Sequence, residues 1–233
     1  VGLTPSFFTA TSFAAAVSAN SIPIFGSYPG WTEGSDAKKI QIELFEDYLC
    51  SDCKAFNPVF EQLLDTEWLD GTVRDQVGVG LTPFPLPYHN HAYQVNQLVP
   101  YFMQLCSTGK GCYSNDYKDF AFEHQEEILD KTEVSQNDFE SWWAGEVAAK
   151  FSLDEADVAS CYGSSDPYNT DGNQRTLLKY GWAKGVNGTP SAYVNGVKLD
   201  SVPMTVDGWL DILNSIYGSQ FGVNTQAPKF LQN

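Results

Sequence analysis

Cys50-Ser51-Asp52-Cys53 places two thiols two residues apart, the spacing in this 233-residue chain best suited to covalent chemistry. The motif follows an apolar run, Ile40-Gln41-Ile42-Glu43-Leu44-Phe45, and opens a segment with helical spacing. A thiol at a helix start faces unpaired backbone N–H groups and the positive end of the helix dipole, which favour the thiolate. The thiolate is the nucleophile of disulfide exchange, so this placement supplies reactivity rather than staple strength. Cys50 would attack or be attacked, and Cys53, one turn further in, would resolve the mixed disulfide. Paired cysteines also bind zinc, and His89 and His91 could in principle complete a Cys2His2 set with Cys50 and Cys53. Their spacing matches no zinc-finger pattern, so no metal is expected. His89 is read either as part of a helix start or as a neighbour that tunes a thiolate.

Such a pair needs a strand to deliver it and a helix to hold it. Lys39 to Tyr48 reads as the strand and Asp52 to Leu64 as the helix, with Phe56, Val59, Phe60, Leu63 and Leu64 at helical spacings and a kink expected at Pro58. Val73 to Leu81 reads as a second strand, and Pro83, Pro85 and Pro87 as an extended connection. Helical segments are expected near 90–106, 115–130, 136–150, 153–162 and 171–185, the third starting at Ser135. Trp142 and Trp143 are read as core of this helical part rather than as the lining of a peptide groove. Ser191 to Val194 and Val197 to Leu199 form a hairpin across Asn195-Gly196, and Val206 to Tyr217 is the last helix. The fold class expected is α/β: a thioredoxin fold with a large helical insertion after the second core strand. Residues 1–37 form an irregular arm with a short strand, packed by Phe7, Phe8, Phe13 and Trp31. Residues 38–87 and 186–217 form the core, 88–185 the insertion and connecting helix, and 218–233 a loose tail.

Bulk properties exclude some functions. The length fits one elaborated domain or two small ones. Asp and Glu number 29 against 13 Lys and Arg, a net charge of −16. Such a surface repels phosphate backbones and anionic lipid, so no nucleic-acid partner is expected, and no apolar run is long enough to span a bilayer. The first residue is Val, so either a leader was removed or the chain is a fragment. Cys106 and Cys112 flank the flexible Ser-Thr-Gly-Lys-Gly, which favours a disulfide over the alternative of three buried thiols and leaves Cys161 free. A disulfide there implies an oxidising compartment: the secretory pathway, the cell exterior or a periplasm.

The chain resembles the DsbA-like branch of the thioredoxin superfamily. The resemblance rests on Phe45-Glu46-Asp47-Tyr48-Leu49-Cys50-Ser51-Asp52-Cys53, on the helical block, and on Gly185-Val186-Asn187-Gly188-Thr189-Pro190-Ser191-Ala192-Tyr193-Val194-Asn195-Gly196. It covers about residues 38 to 217. It implies a thiol–disulfide oxidoreductase with Cys50 and Cys53 as the catalytic, redox-active pair. It also implies a cis Thr189–Pro190 bond beside them, where Thr189 and Pro190 position the backbone of a substrate strand. The partners implied are cysteine-containing polypeptides and a redox partner protein or glutathione, with no bound cofactor. The sequon Asn187-Gly188-Thr189 would crowd that groove if glycosylated and is expected to be unused. Between the cysteines the chain departs from the Pro-His of the strongly oxidising DsbA. Asp52, with Glu46 and Asp47 upstream, should oppose the Cys50 thiolate, and Ser51 could offset this by donating a hydrogen bond. The couple is therefore expected to be less oxidising than in those relatives. Two other readings stay open: a binding or structural protein in which Cys50–Cys53 is a permanent disulfide, and a kappa-type glutathione-linked transferase or isomerase, whose members carry Ser where Cys50 stands.

Overall fold

A computed structural model describes residue 25, residues 28–33 and residues 38–221. Phe7, Phe8 and Phe13 lie outside the described residues. The chain pairs β1 (Trp31–Glu33), β5 (Val77–Pro83), β2 (Ile40–Glu46), β6 (Ser191–Val194) and β7 (Val197–Lys198) in that order into one sheet. β2 lies at its centre, parallel to β5 from Ile40↔Val77 to Glu46↔Pro83 and antiparallel to β6. A parallel pair needs a crossover, which runs through α1 (Ser51–Leu64), the short hairpin β3 (Glu67–Trp68) and β4 (Gly71–Thr72), and α2 (Val73–Gln76).

Alternation along β2 serves two cores. Ile40, Ile42 and Leu44 pack with Phe56, Phe60 and Leu63 of α1 and with Trp209 and Leu213 of α10 (Val206–Phe221). Phe45 points the other way, into a cluster with Phe84, Leu86, Leu178 and Tyr193. α1 runs unbroken through Pro58. The β6–β7 turn has Asn195 at φ 49° and Gly196 at φ 81°, the two left-handed residues of a tight hairpin. Asn195 is also tied to β2, its side chain accepting from the Gln41 N–H and its own N–H donating to the Gln41 carbonyl, both at 2.8 Å.

Between β5 and β6 lie α3 (Ala92–Gln97), α4 (Val99–Ser107), α5 (Ser114–Glu123), α6 (Gln125–Leu129), α7 (Gln136–Phe151), α8 (Glu155–Ser160) and α9 (Thr170–Ala183). The expected segments near 90–106 and 115–130 are each two helices, parted at Leu98 and His124. The second core strand starts at Val77, not Val73, because Thr72 and Asp75 form a capping box that winds the intervening residues into α2. Trp143 is fully buried and its indole N–H donates to Tyr117 Oη at 3.0 Å, so it belongs to the core of the insertion. Trp142 is half-buried with Lys131 Nζ 3.9 Å from its ring centre.

α9 closes over the sheet at Gly181, where a Cβ would stand 2.6 Å from the Phe84 ring and 3.4 Å from Phe45. Gly181→Ala should therefore destabilise by about 1–3 kcal/mol, the usual cost of overpacking, despite alanine's better helix propensity. Equilibrium denaturation of the two proteins measures this, and an equal or higher midpoint would contradict the close packing.

Candidate active site

The end of β2 folds back on itself to present the first thiol. Asp47 accepts the Cys50 N–H on its carbonyl at 3.0 Å and the Leu49 N–H on its side chain at 2.9 Å. This local turn leaves Cys50 as the N-cap of α1 with an extended backbone, φ −79° and ψ 124°. The Thr189–Pro190 bond is cis, and the Cys50 thiol lies 3.3 Å from the Thr189 carbonyl. Cys50 is 6% exposed and Cys53 0%, so both are buried and the second is fully enclosed. Both are free thiols here.

The two sulfurs are driven apart in acidity. Cys50 is lowered to about 6, foremost by a hydrogen bond from the Cys53 thiol, with burial opposing, then by Thr189 and by the backbone N–H groups of Cys53 and Asp52. The Thr189 hydroxyl is buried and has no hydrogen-bond partner among the described residues. Cys53 is pushed well above the usual thiol range, first by burial, then by its bond to Cys50 and by the negative charge of Glu46 and Cys50. The expectation of a poorly stabilised Cys50 thiolate is thus corrected. Ser51 and Asp52 are exposed, and Asp52 acts on the sulfur chiefly through its main chain.

The upstream acids are not free negative charges either. Glu46 is 3% exposed and burial raises it to about 7, with Lys118 opposing. Lys118, from α5, is itself buried and lies 3.2 Å from Glu61 Oε1. Asp47 is fully buried and paired with His89, whose Nδ1 lies 2.6 Å from Asp47 Oδ2. That hydrogen bond raises His89, burial opposes, and the charges of Asp47 and Cys50 add to the rise. The ring therefore favours the imidazolium within electrostatic reach of the thiol pair.

His91 stands apart from the site. It stacks on Phe139 at 3.9 Å, and its Nε2 lies 3.1 Å from the Lys131 carbonyl. Among the described residues, no group of three or more His, Cys, Asp or Glu is arranged to hold a metal ion. Cys106 and Cys112 are disulfide-bonded at the end of α4, and Cys161 is a buried thiol.

No family model and no curated protein matches the chain. Solved structures do match. A proposed protein-disulfide isomerase from Pseudomonas syringae superposes with a TM-score of 0.59 at 17% identity, over 78% of this chain and 96% of that one. The oxidoreductase NmDsbA1 from Neisseria meningitidis gives 0.54 at 16% identity, over 88% and 92%. The thiol-disulfide exchange protein α-DsbA2 from Wolbachia pipientis gives 0.53 at 16%, over 79% and 86%. This chain has the DsbA-like thioredoxin fold.

Of the residues singled out in the sequence, this DsbA-like fold brings Thr189 and Pro190 beside Cys50, and His89 next to Asp47 within electrostatic reach of Cys50. The sequence did not mark two buried residues of the insertion: Gln125, which donates to the Cys50 carbonyl, and Lys118, whose charge acts on Glu46. A lysine and a glutamine within acidic helices carry no local pattern that marks them for burial.

Glu46 gives a pH signature. Its proton is bound in folded and unfolded chains alike below about 4.5. Between about 4.5 and 7 the unfolded chain releases it first, so stability falls as pH rises and then levels off. The penalty is at most about 3 kcal/mol. Glu46→Gln should flatten that slope, as measured by denaturant midpoints from pH 4 to 8. An unchanged slope would show that Glu46 ionises normally.

Proposed function

We propose that the protein is a thiol–disulfide oxidoreductase acting on cysteine-containing polypeptides through Cys50 and Cys53. The observation that carries this reading is the unequal placement of the two sulfurs: Cys50 is the N-cap of α1, its thiol 3.3 Å from the Thr189 carbonyl at the cis Thr189–Pro190 bond, and Cys53 is fully buried one turn further in. The Cys50 thiol is lowered and the Cys53 thiol raised accordingly. A permanent staple has no use for that asymmetry.

Towards a disulfide substrate, the Cys50 thiolate attacks one substrate sulfur, the substrate S–S bond breaks, and the other sulfur leaves as a thiolate. Cys53 then gives up its proton and attacks Cys50. The Cys50–Cys53 bond forms, the mixed disulfide breaks, and two electrons have passed to the substrate. Oxidation of a substrate dithiol is the reverse, and a redox protein or glutathione resets the pair. Glu46, titrating near neutrality and electrostatically coupled to both sulfurs, is suited to take the Cys53 proton. Thr189 and Pro190, beside Cys50, position the substrate backbone.

Stabilising the thiolate stabilises the reduced form. A group lowered from 9 to about 6 contributes fully above pH 9, and its contribution is lost as pH falls through 6. At pH 7 this is at most about 1.4 kcal/mol, less with solvent screening, and the disulfide has no matching gain. The pair is therefore biased towards oxidising its partners. The Cys106–Cys112 disulfide supports an oxidising compartment. No described helix is long and apolar enough to cross a membrane.

Iodoacetamide should label reduced protein at Cys50 with a rate midpoint near pH 6 and leave Cys53 untouched. Cys53→Ser should accumulate a mixed disulfide with a reduced-and-reoxidised substrate, and Cys50→Ser should not. Labelling confined to Cys53, or a pair inert towards glutathione, would refute the reading.

Asp52→His should shift the Cys50–Cys53 potential by less than about 30 mV, tenfold in the exchange constant, because the exposed carboxylate is a minor influence on the sulfur. Equilibration of both proteins with glutathione at fixed pH measures it, and a larger rise would restore the dipeptide charge as the controlling factor.

A further inference from the structure

One side chain of the helical insertion grips the backbone of the nucleophile. Gln125, the first residue of α6, is 3% exposed, although Glu126 and Glu127 beside it are exposed. Its Nε2 donates to the carbonyls of Tyr48 and Cys50, each at 3.0 Å. The Cys50 carbonyl also accepts the Lys54 N–H at 3.0 Å, the first hydrogen bond of α1. Glu126 faces Lys54 at 3.8 Å, so consecutive residues of α6 meet the start of α1.

We propose that Gln125 is a positioning residue for Cys50, fixing the peptide plane that follows the nucleophile and keeping the N–H groups of Asp52 and Cys53 on its sulfur. A carbonyl and the N–H of the next residue share one rigid plane, so holding the Cys50 oxygen sets the direction in which α1 begins. The Tyr48 bond anchors the same segment two residues earlier. The Cys50 carbonyl keeps the Lys54 N–H without Gln125, so the amide is its second donor and acts by fixing the direction of the carbonyl rather than by satisfying it. Drawing charge from the Cys50 oxygen also lessens a negative dipole close to the sulfur. Both effects act in one direction: without Gln125 the thiolate is less favoured.

The inference rests on Cys50 being the exchanging thiol, and its readout is independent of substrate. Gln125→Met keeps the length of the side chain and removes both donors. The thiolate absorbance of reduced protein, titrated from pH 4 to 9, should show the Cys50 midpoint rising by about one unit, a tenfold fall in the thiolate-to-thiol ratio. Glu126→Gln, which breaks only the neighbouring ion pair, should leave the midpoint in place. A folded Gln125→Met protein with the wild-type midpoint overturns the proposal. If that variant does not fold, the wild type decides by NMR. The Gln125 side-chain amide protons should exchange slowly with solvent and shift as Cys50 titrates, and fast exchange or constant shifts overturn it. A wild type that fails to exchange with a small disulfide, yet whose midpoint rises in Gln125→Met, would remove the exchange reading and uphold the positioning role.

Discussion

Asp47 is a carboxylate with no access to water, and its hydrogen bonds tie three parts of the chain to the thiol pair. Oδ1 accepts from the Leu49 N–H and the Asn96 amide, and Oδ2 from the Leu86 N–H and the His89 ring. An uncompensated buried charge costs several kcal/mol, so these donors must assemble together. They come from the turn before Cys50, from the proline-rich connection after β5, and from α3. The same residue's carbonyl receives the Cys50 N–H. The position of the nucleophile is therefore bound to the docking of the insertion on the core.

Glu46 and Asp47 are neighbours in sequence and differ in their partners. Asp47 has four hydrogen-bond partners, one of them the His89 ring. Glu46 has an oxygen with no hydrogen-bond partner, and burial keeps its proton until near neutrality. Two neighbouring carboxyl groups are thus set apart by their surroundings. Asp47 orders the loop and raises His89. Glu46 lies within the field of both sulfurs, where the proposed exchange would require Cys53 to give up its proton.

The sequence disclosed what depends on local pattern. Alternation gave the strands, the apolar spacing of Phe56, Phe60 and Leu63 gave α1, and Asn195-Gly196 gave the hairpin turn. Cys50 and Cys53 were legible because a helix start after a strand is itself the chemical environment. What depends on long-range pairing was not legible. Glu46, Asp47 and Asp52 look alike in the sequence, and simple charge addition made all three opponents of the thiolate. Only the fold shows that the charge of Lys118 acts on Glu46, that His89 reaches Asp47, and that Asp52 is exposed. The capping box that shortens β5 was visible as Thr72 and Asp75, but the β-rich residues after it dominated the reading.

The groups that adjust the thiol pair come largely from outside the core sheet. Lys118 lies on α5, Gln125 on α6, Asn96 on α3, and His89 precedes α3. The core supplies the sulfurs, Thr189 and the two acids. A chain whose insertion is undocked therefore has an exposed Asp47, an unheld Cys50 carbonyl and a Glu46 without its lysine. The groups that lower Cys50 directly, Cys53, Thr189 and the first N–H groups of α1, all belong to the core. The insertion therefore acts on the sulfur through the backbone it braces: Gln125 holds the Cys50 carbonyl, and Asn96 and His89 hold the Asp47 side chain, whose main-chain carbonyl receives the Cys50 N–H.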